Sequence, residues 1–78
     1  MGGEITIHHE LTCHDLAAIA IVNQIIRAGA AYGLSPSEIA EDIRAHRALN
    51  VSSVSVENLE DTGGYRVCGC VVLKRTLK

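Results

Sequence analysis

Residues 13–32, CHDLAAIAIVNQIIRAGAAY, are the only stretch both long enough and apolar enough to organise a core. Leu16, Ile19, Val22 and Ile26 recur at helical spacing, and Ile21 and Ile25 widen the stripe beyond what a half-buried surface helix requires. The spacing predicts one helix over Cys13–Tyr32. Around its back run Ala17, Ala20, Gln24, Ala28 and Ala31, a surface of small side chains against which a helix or a second copy of the chain can approach closely. Thr12 followed three residues later by Asp15 reads as a capping box at the helix start. Gly33 suits the left-handed residue that closes the end. The spacing of Gly29 and Gly33 matches a GxxxG, yet Asp15, Gln24 and Arg27 interrupt too short an apolar run to span a bilayer, so no membrane association is expected.

Outward from this helix, residues 4–11 alternate. Ile5, Ile7, His9 and Leu11 fall on one face and Glu4, Thr6, His8 and Glu10 on the other, the pattern of a half-buried strand. After the helix, GLSPSE carries Ser35 as N-cap, Pro36 at the first helical position and Glu38 completing a capping box, with Leu34 and Ile39 placed as a hydrophobic staple. A second, amphipathic helix is therefore expected from Pro36 to about Leu49, burying Ile39, Ala40 and Ile43 and turning Glu38, Glu41, Asp42 and Arg44 outward.

The last third is strand-like. Val54 and Val56 alternate with Ser53, Ser55 and Glu57 within 51–59. In 65–77, Val67, Val71 and Leu73 lie opposite Arg66, Cys68, Cys70, Val72 and Lys74, and Asp61-Thr62-Gly63-Gly64 supplies the turn of a hairpin. The expected fold is one α+β domain over residues 1–78, in the order β-α-α-β-β. It has two layers, with the first helix across a three-stranded, mainly antiparallel sheet and the second at its side.

At 78 residues, with no Phe or Trp and two Tyr, the core must be aliphatic and base stacking is disfavoured. No secretory signal pattern precedes the first strand, and a cytosolic protein is expected. The net charge of −2 conceals a division. The chain carries −6 through Asp61 and +4 from Thr62 onward, so the halves can attract each other, or each can offer a binding surface. The candidate partner-binding residues are Arg66, Lys74 and Arg75 on the basic side and Glu38, Glu41 and Asp42 on the acidic helix. The basic C-terminus also suits an edge strand protected by charge.

His8, His9, Cys13 and His14, with Cys68 and Cys70, are the one constellation suggesting chemistry. Cys68-Gly69-Cys70 lacks the spacing of a zinc knuckle, and no group that would orient a histidine base is identifiable, so no metal, cofactor or catalytic residue is assigned. Cys68, Cys70 and Val72 face outward together and are expected to form a homodimer interface. GLSPSEIAEDI is similar to the entry of a helix-turn-helix, but β-branched sequence follows where a recognition helix is needed, which argues against sequence-specific nucleic-acid binding.

In length, aromatic poverty and the layout carried by EITIHHELT, LAAIAIVNQII, SPSEIAEDIR and YRVCGCVVLKRTLK, the chain resembles the small phage-encoded anti-CRISPR inhibitors of type I systems. The resemblance implies a non-enzymatic protein in the host cytosol that binds a CRISPR surveillance complex and blocks DNA binding or nuclease recruitment. The alternative expectation is a small metal- or thiol-dependent regulator, which rests on the Cys and His residues.

Overall fold

The computed structural model describes residues 5–13, 15–59 and 63–74. The elements follow in the order β1 (Ile7–Leu11), α1 (Leu16–Ala31), α2 (Pro36–Ala45), β2 (Leu49–Leu59) and β3 (Gly64–Leu73). Both helices pack on one face of a three-stranded sheet, as an α+β fold requires.

Across the sheet the strands stand β1-β3-β2, which differs from their order along the chain. β3 is antiparallel to β2, as the hairpin pattern predicts, but it is parallel to β1. The expectation of a mainly antiparallel sheet is therefore corrected to a mixed one. The physical reason is the two-helix connection: it carries the chain across the sheet and leaves room for the hairpin's second strand to insert between β1 and β2. Consequently β3 is the central strand. Its one basic residue, Arg66, therefore does not guard an edge; β1 and β2 are the edges.

The helix ends show which local signals prevail. At α2, Ser35 Oγ accepts from Glu38 N–H (3.3 Å) and Glu38 Oε1 accepts from Ser35 N–H (2.9 Å), the capping box read from the sequence. That helix stops at Ala45 rather than near Leu49, because His46 is extended and its Nδ1 accepts from Ala48 N–H (3.1 Å), turning the chain into β2. At the end of α1, Gly33 takes φ +75°, Gly33 N–H donates to Ala30 O and Leu34 N–H donates to Gly29 O, the pair of bonds that closes a Schellman motif. The start of α1 departs from expectation. Asp15, not Thr12, is the N-cap, its Oδ1 accepting from the N–H groups of Ala17 and Ala18. The Thr12 hydroxyl instead donates to Gly69 O of β3 (3.3 Å).

The core is aliphatic. Val22 and Ile26 of α1 and Ile39 and Ile43 of α2 meet Val54, Val67 and Val71 of the sheet, with Leu11, Leu49 and Tyr65 at its margins. The helices touch at Gly29. A methyl group there would lie 2.6 Å from Ile39 Cγ1, inside the buried core. The helix-propensity gain of alanine over glycine, about 1 kcal/mol, is opposed by overpacking that costs about 1–3 kcal/mol. Gly29→Ala is accordingly expected to lower stability by about 1 kcal/mol in urea denaturation. A raised midpoint would show that the α1–α2 contact is looser than this geometry.

Candidate functional site

The face of the sheet away from the helices is polar, and the three strands assemble it row by row. His8 and Glu10 come from β1, Arg66 and Cys68 from β3, and Ser55 and Glu57 from β2, with His8 and Glu57 in register with Arg66, and Glu10 and Ser55 in register with Cys68. The central strand thus places a cation between acids on both sides. Arg66 Nη1 donates to Glu57 Oε1 at 2.9 Å, while Arg66 Nε stands 3.4 Å from Glu10 Oε2, a charge pair that is not aligned as a hydrogen bond. The attraction expected between the acidic and basic parts of the chain is realised here. With the carboxylates well exposed, such pairs contribute at most about 1 kcal/mol each.

Beside this group lie the cysteines. Cys13, in the connection after β1, is disulfide-bonded to Cys70 of β3, across a sequence separation of 57. Cys68 is free and half-buried, its thiol donating weakly to Glu10 Oε1 at 3.9 Å. Thr12 N–H also donates to Gly69 O (2.7 Å), and Asp15 Oδ2 accepts from Leu73 N–H (2.9 Å). The connection from β1 to α1 is therefore fastened to β3 by a covalent bond, a backbone hydrogen bond and the carboxylate that caps α1. This corrects the outward-facing pair of thiols: Cys70 is bonded within its own chain, and of the expected interface residues Cys68 alone keeps a thiol, beside the half-buried Val72.

Among the described residues no three Cys, His, Asp or Glu side chains converge as metal ligands. His14 of the sequence constellation lies outside the described residues. His9 points toward the helices with Nδ1 buried, and neither that atom nor the buried Asn23 Oδ1 on α1 has a protein hydrogen-bond partner.

The other candidates are dispersed. Glu38, Glu41 and Asp42 are all exposed on α2, whose opposite side buries Ile39, Ala40 and Ile43. Lys74 is exposed just beyond β3, with its N–H donating to Ala48 O, and Arg75 lies outside the described residues. Arg66 is held by its two carboxylates and is not a free cation. Thus the three acidic residues share one helix, whereas Arg66 and Lys74 lie toward opposite ends of β3. A groove of about 440 Å³ runs along the edge of β2, between Val54 and Val56 on one side and Pro36, Ala40 and Glu41 on the other. At its end Arg44 Nη2 donates to Val54 O (3.0 Å). A second groove, of about 360 Å³, separates the helices near Ile25, Ala28, Tyr32 and Leu34. Neither was legible as a motif, because each exists only where two successive elements pack side by side.

Among the described residues no helix is long and apolar enough to cross a membrane. Fold and surface together define a small α+β domain with a charged helix and a cross-strand ionic network. No family model, curated protein or solved structure matches this chain.

Proposed function

We infer that the protein works by occupancy, as a non-enzymatic binding module that covers a basic surface on a protein complex. The observation supporting this is α2. Its carboxylates Glu38, Glu41 and Asp42 are all exposed, while Ile39 and Ile43 from the same ten residues are fully buried. The helix is anchored to the core and capped at its start, so the acidic face is presented with little ordering cost. A nucleic-acid channel of a CRISPR surveillance complex in the host cytosol, as the anti-CRISPR resemblance implies, is a basic surface of the required kind. Acidic side chains there would exclude DNA by competing for the same cations.

Because Glu38 also caps α2, the test reverses the other two charges, in a Glu41→Lys, Asp42→Lys variant. Exposed charges away from caps seldom change stability by more than about 0.5 kcal/mol. Affinity for an immobilised surveillance complex is expected to fall at least about tenfold, with the thermal midpoint unchanged. Undiminished affinity in a folded double variant would remove the acidic face from this role.

A second reading, a thiol-dependent regulator, is favoured by one observation. The Cys13–Cys70 bond fastens the β1–α1 connection, and the free Cys68 stands two residues from Cys70. In a reducing cytosol such a bond is made transiently, and its opening would loosen that connection. Equal partner binding by oxidised and reduced protein would exclude this form of control.

A further inference from the structure

The outer edge of β2 carries backbone groups that the sheet leaves open. Tyr65 N–H donates to Thr6 O and Thr12 N–H to Gly69 O, so Tyr65, Val67 and Gly69, alternate residues of β3, direct their backbone bonds to β1. Their register partners on β2 are Asn58, Val56 and Val54. These three therefore turn N–H and C=O away from β3, because bonded and non-bonded pairs alternate along an antiparallel ladder. Arg44 reports the same direction independently, since its Nη2 reaches Val54 O (3.0 Å). Among the described residues no other outward backbone group of these three has a protein partner. Such edges are ordinarily guarded by lysine, proline or a bulge. β2 has neither lysine nor proline, and its irregularity lies at Val51–Ser53, before the open stretch.

Beside this edge lies the groove of about 440 Å³ between β2 and α2, with Val54, Val56, Pro36 and Ala40 as its apolar lining and Glu41 among its walls. A strand added along the edge would point the side chain opposite Val56 into the groove, because paired residues share a face of the sheet. The inner neighbour of β2 already shows which side chains it accepts. β3 sets Val67 across from Val56 and Arg66 across from Glu57, with Arg66 Nη1 donating to Glu57 Oε1 (2.9 Å), and Glu57 stays exposed. We propose that β2 binds an extended segment of a partner protein as a fourth strand, with an aliphatic residue opposite Val56 filling the groove and an adjacent lysine or arginine opposite Glu57.

In that arrangement the open N–H and C=O groups of Val56 and Asn58 pair with the added backbone, and Arg44, seated on Val54 O, marks the end of the ladder. Only another extended chain supplies donors and acceptors at this alternating spacing. Charge selects which one. An antiparallel second copy would set α2 beside α2 and line one seam with Glu41 and Glu57 from both chains, whereas Arg44 and Arg66 are already engaged. A basic, aliphatic segment meets the same acids favourably. The inference deepens the binding role proposed above and rests on it only in taking the protein for a binding module. The two are separable, because Val56 and Asn58 lie outside the acidic face and Asp42 does not line this groove.

The probe is the synthetic peptide acetyl-TKVRVKT-amide, whose valines pair with Val56 and Asn58 while its central arginine meets Glu57. Its sequence reads the same in both directions, so it suits either strand polarity. Titration followed by NMR is expected to show saturable binding, with the amide shifts concentrated on β2 and α2. The acidic counterpart acetyl-TEVEVET-amide is expected to bind at least about tenfold more weakly, since like charges directly opposite each other are destabilising. N-methylation of both valines, whose N–H groups face β2, is expected to weaken binding at least about tenfold, and N-methylation of the central arginine, whose N–H faces solvent, far less. On the protein side, Val56→Pro removes an outward donor, a change that edge strands accommodate, and is expected to weaken binding at least about tenfold with the fold retained. The methylated peptides carry the test if that variant does not fold. Absence of saturable binding at millimolar peptide overturns the proposal, as do equal affinities for the basic and acidic peptides, equal losses from the two methylations, or a folded Val56→Pro variant that binds as wild type does. A wild type that dimerises in sedimentation equilibrium and becomes monomeric in Val56→Pro overturns it in favour of a second copy at this edge. None of these measurements involves the surveillance complex, so their failure leaves the acidic face to its own test.

Discussion

Gly69→Ala is expected to be the most damaging single substitution in the chain. Gly69 has φ +128° in the middle of the central strand, paired with Val54 and next to an irregularity in β2 where the register steps from Val51 to Ser53. An alanine there faces two separate penalties. Holding an L-residue in this region costs about 1–3 kcal/mol, and its methyl group would collide with the backbone carbonyl of Ser53 on the neighbouring strand. That carbonyl belongs to the sheet and cannot rotate aside, so the β2–β3 ladder must part, at a further cost of about 1–3 kcal/mol. A domain of this length has a total stability of about 4–12 kcal/mol, so the loss consumes much of it. Chemical denaturation should show a greatly lowered midpoint or no folded baseline. Gly33→Ala supplies the comparison, because it shares a positive φ but has no atom within 4 Å of the added methyl. It is expected to cost only about 1 kcal/mol. Equal effects at the two positions would show that the Ser53 contact does not matter.

The second large effect is expected from the disulfide. Linking Cys13 to Cys70 across a separation of 57 restricts most of the unfolded chain, and the loop-closure relation gives about 4 kcal/mol for a loop of that size. Few small domains tolerate such a loss without partial unfolding. Reduction, or the double replacement Cys13→Ala, Cys70→Ala, should therefore shift the denaturation midpoint far down, while Cys68→Ser should leave it nearly unchanged. The local consequence is separable by amide exchange. Leu73 N–H donates to Asp15 Oδ2 and Thr12 N–H to Gly69 O, so these two amides should lose protection before the centre of α1 does. Coincident unfolding curves for oxidised and reduced protein would remove the covalent strap from any account of stability.

The fastening of the β1–α1 connection also links the fold to the proposed roles. It sets the position of α1 relative to the sheet at the end where Leu16 is exposed. The acidic helix is held differently, through Ile39 and Ile43 and through Arg44, whose guanidinium reaches the carbonyl of Val54 on the edge strand. Loss of the disulfide and loss of the acidic face should therefore be experimentally distinct.

What the chain determined by itself lies within a few residues of each signal. The Ser35–Glu38 capping box, the Gly33 termination of α1, the burial of Val22, Ile26, Ile39 and Ile43, and the alternation of Val54, Val56, Val67 and Val71 were all legible, because a cap or a helical repeat involves partners three to five positions apart. The outward face of α2 followed from the same periodicity. Tertiary structure alone decided the rest. Three cysteines allow three pairings, and Cys13–Cys70 follows only once β3 lies parallel beside β1. Asp15 displaced Thr12 as the cap because its second oxygen finds Leu73 N–H and the Thr12 hydroxyl finds Gly69 O, both on that same strand. Arg66 became an ion-pair centre instead of a free binding cation because the central position gives it acids on two neighbours. Each of these outcomes depends on which strand stands in the middle of the sheet. Local pattern does not carry that information, because a half-buried strand reads the same whether its neighbour runs parallel or antiparallel.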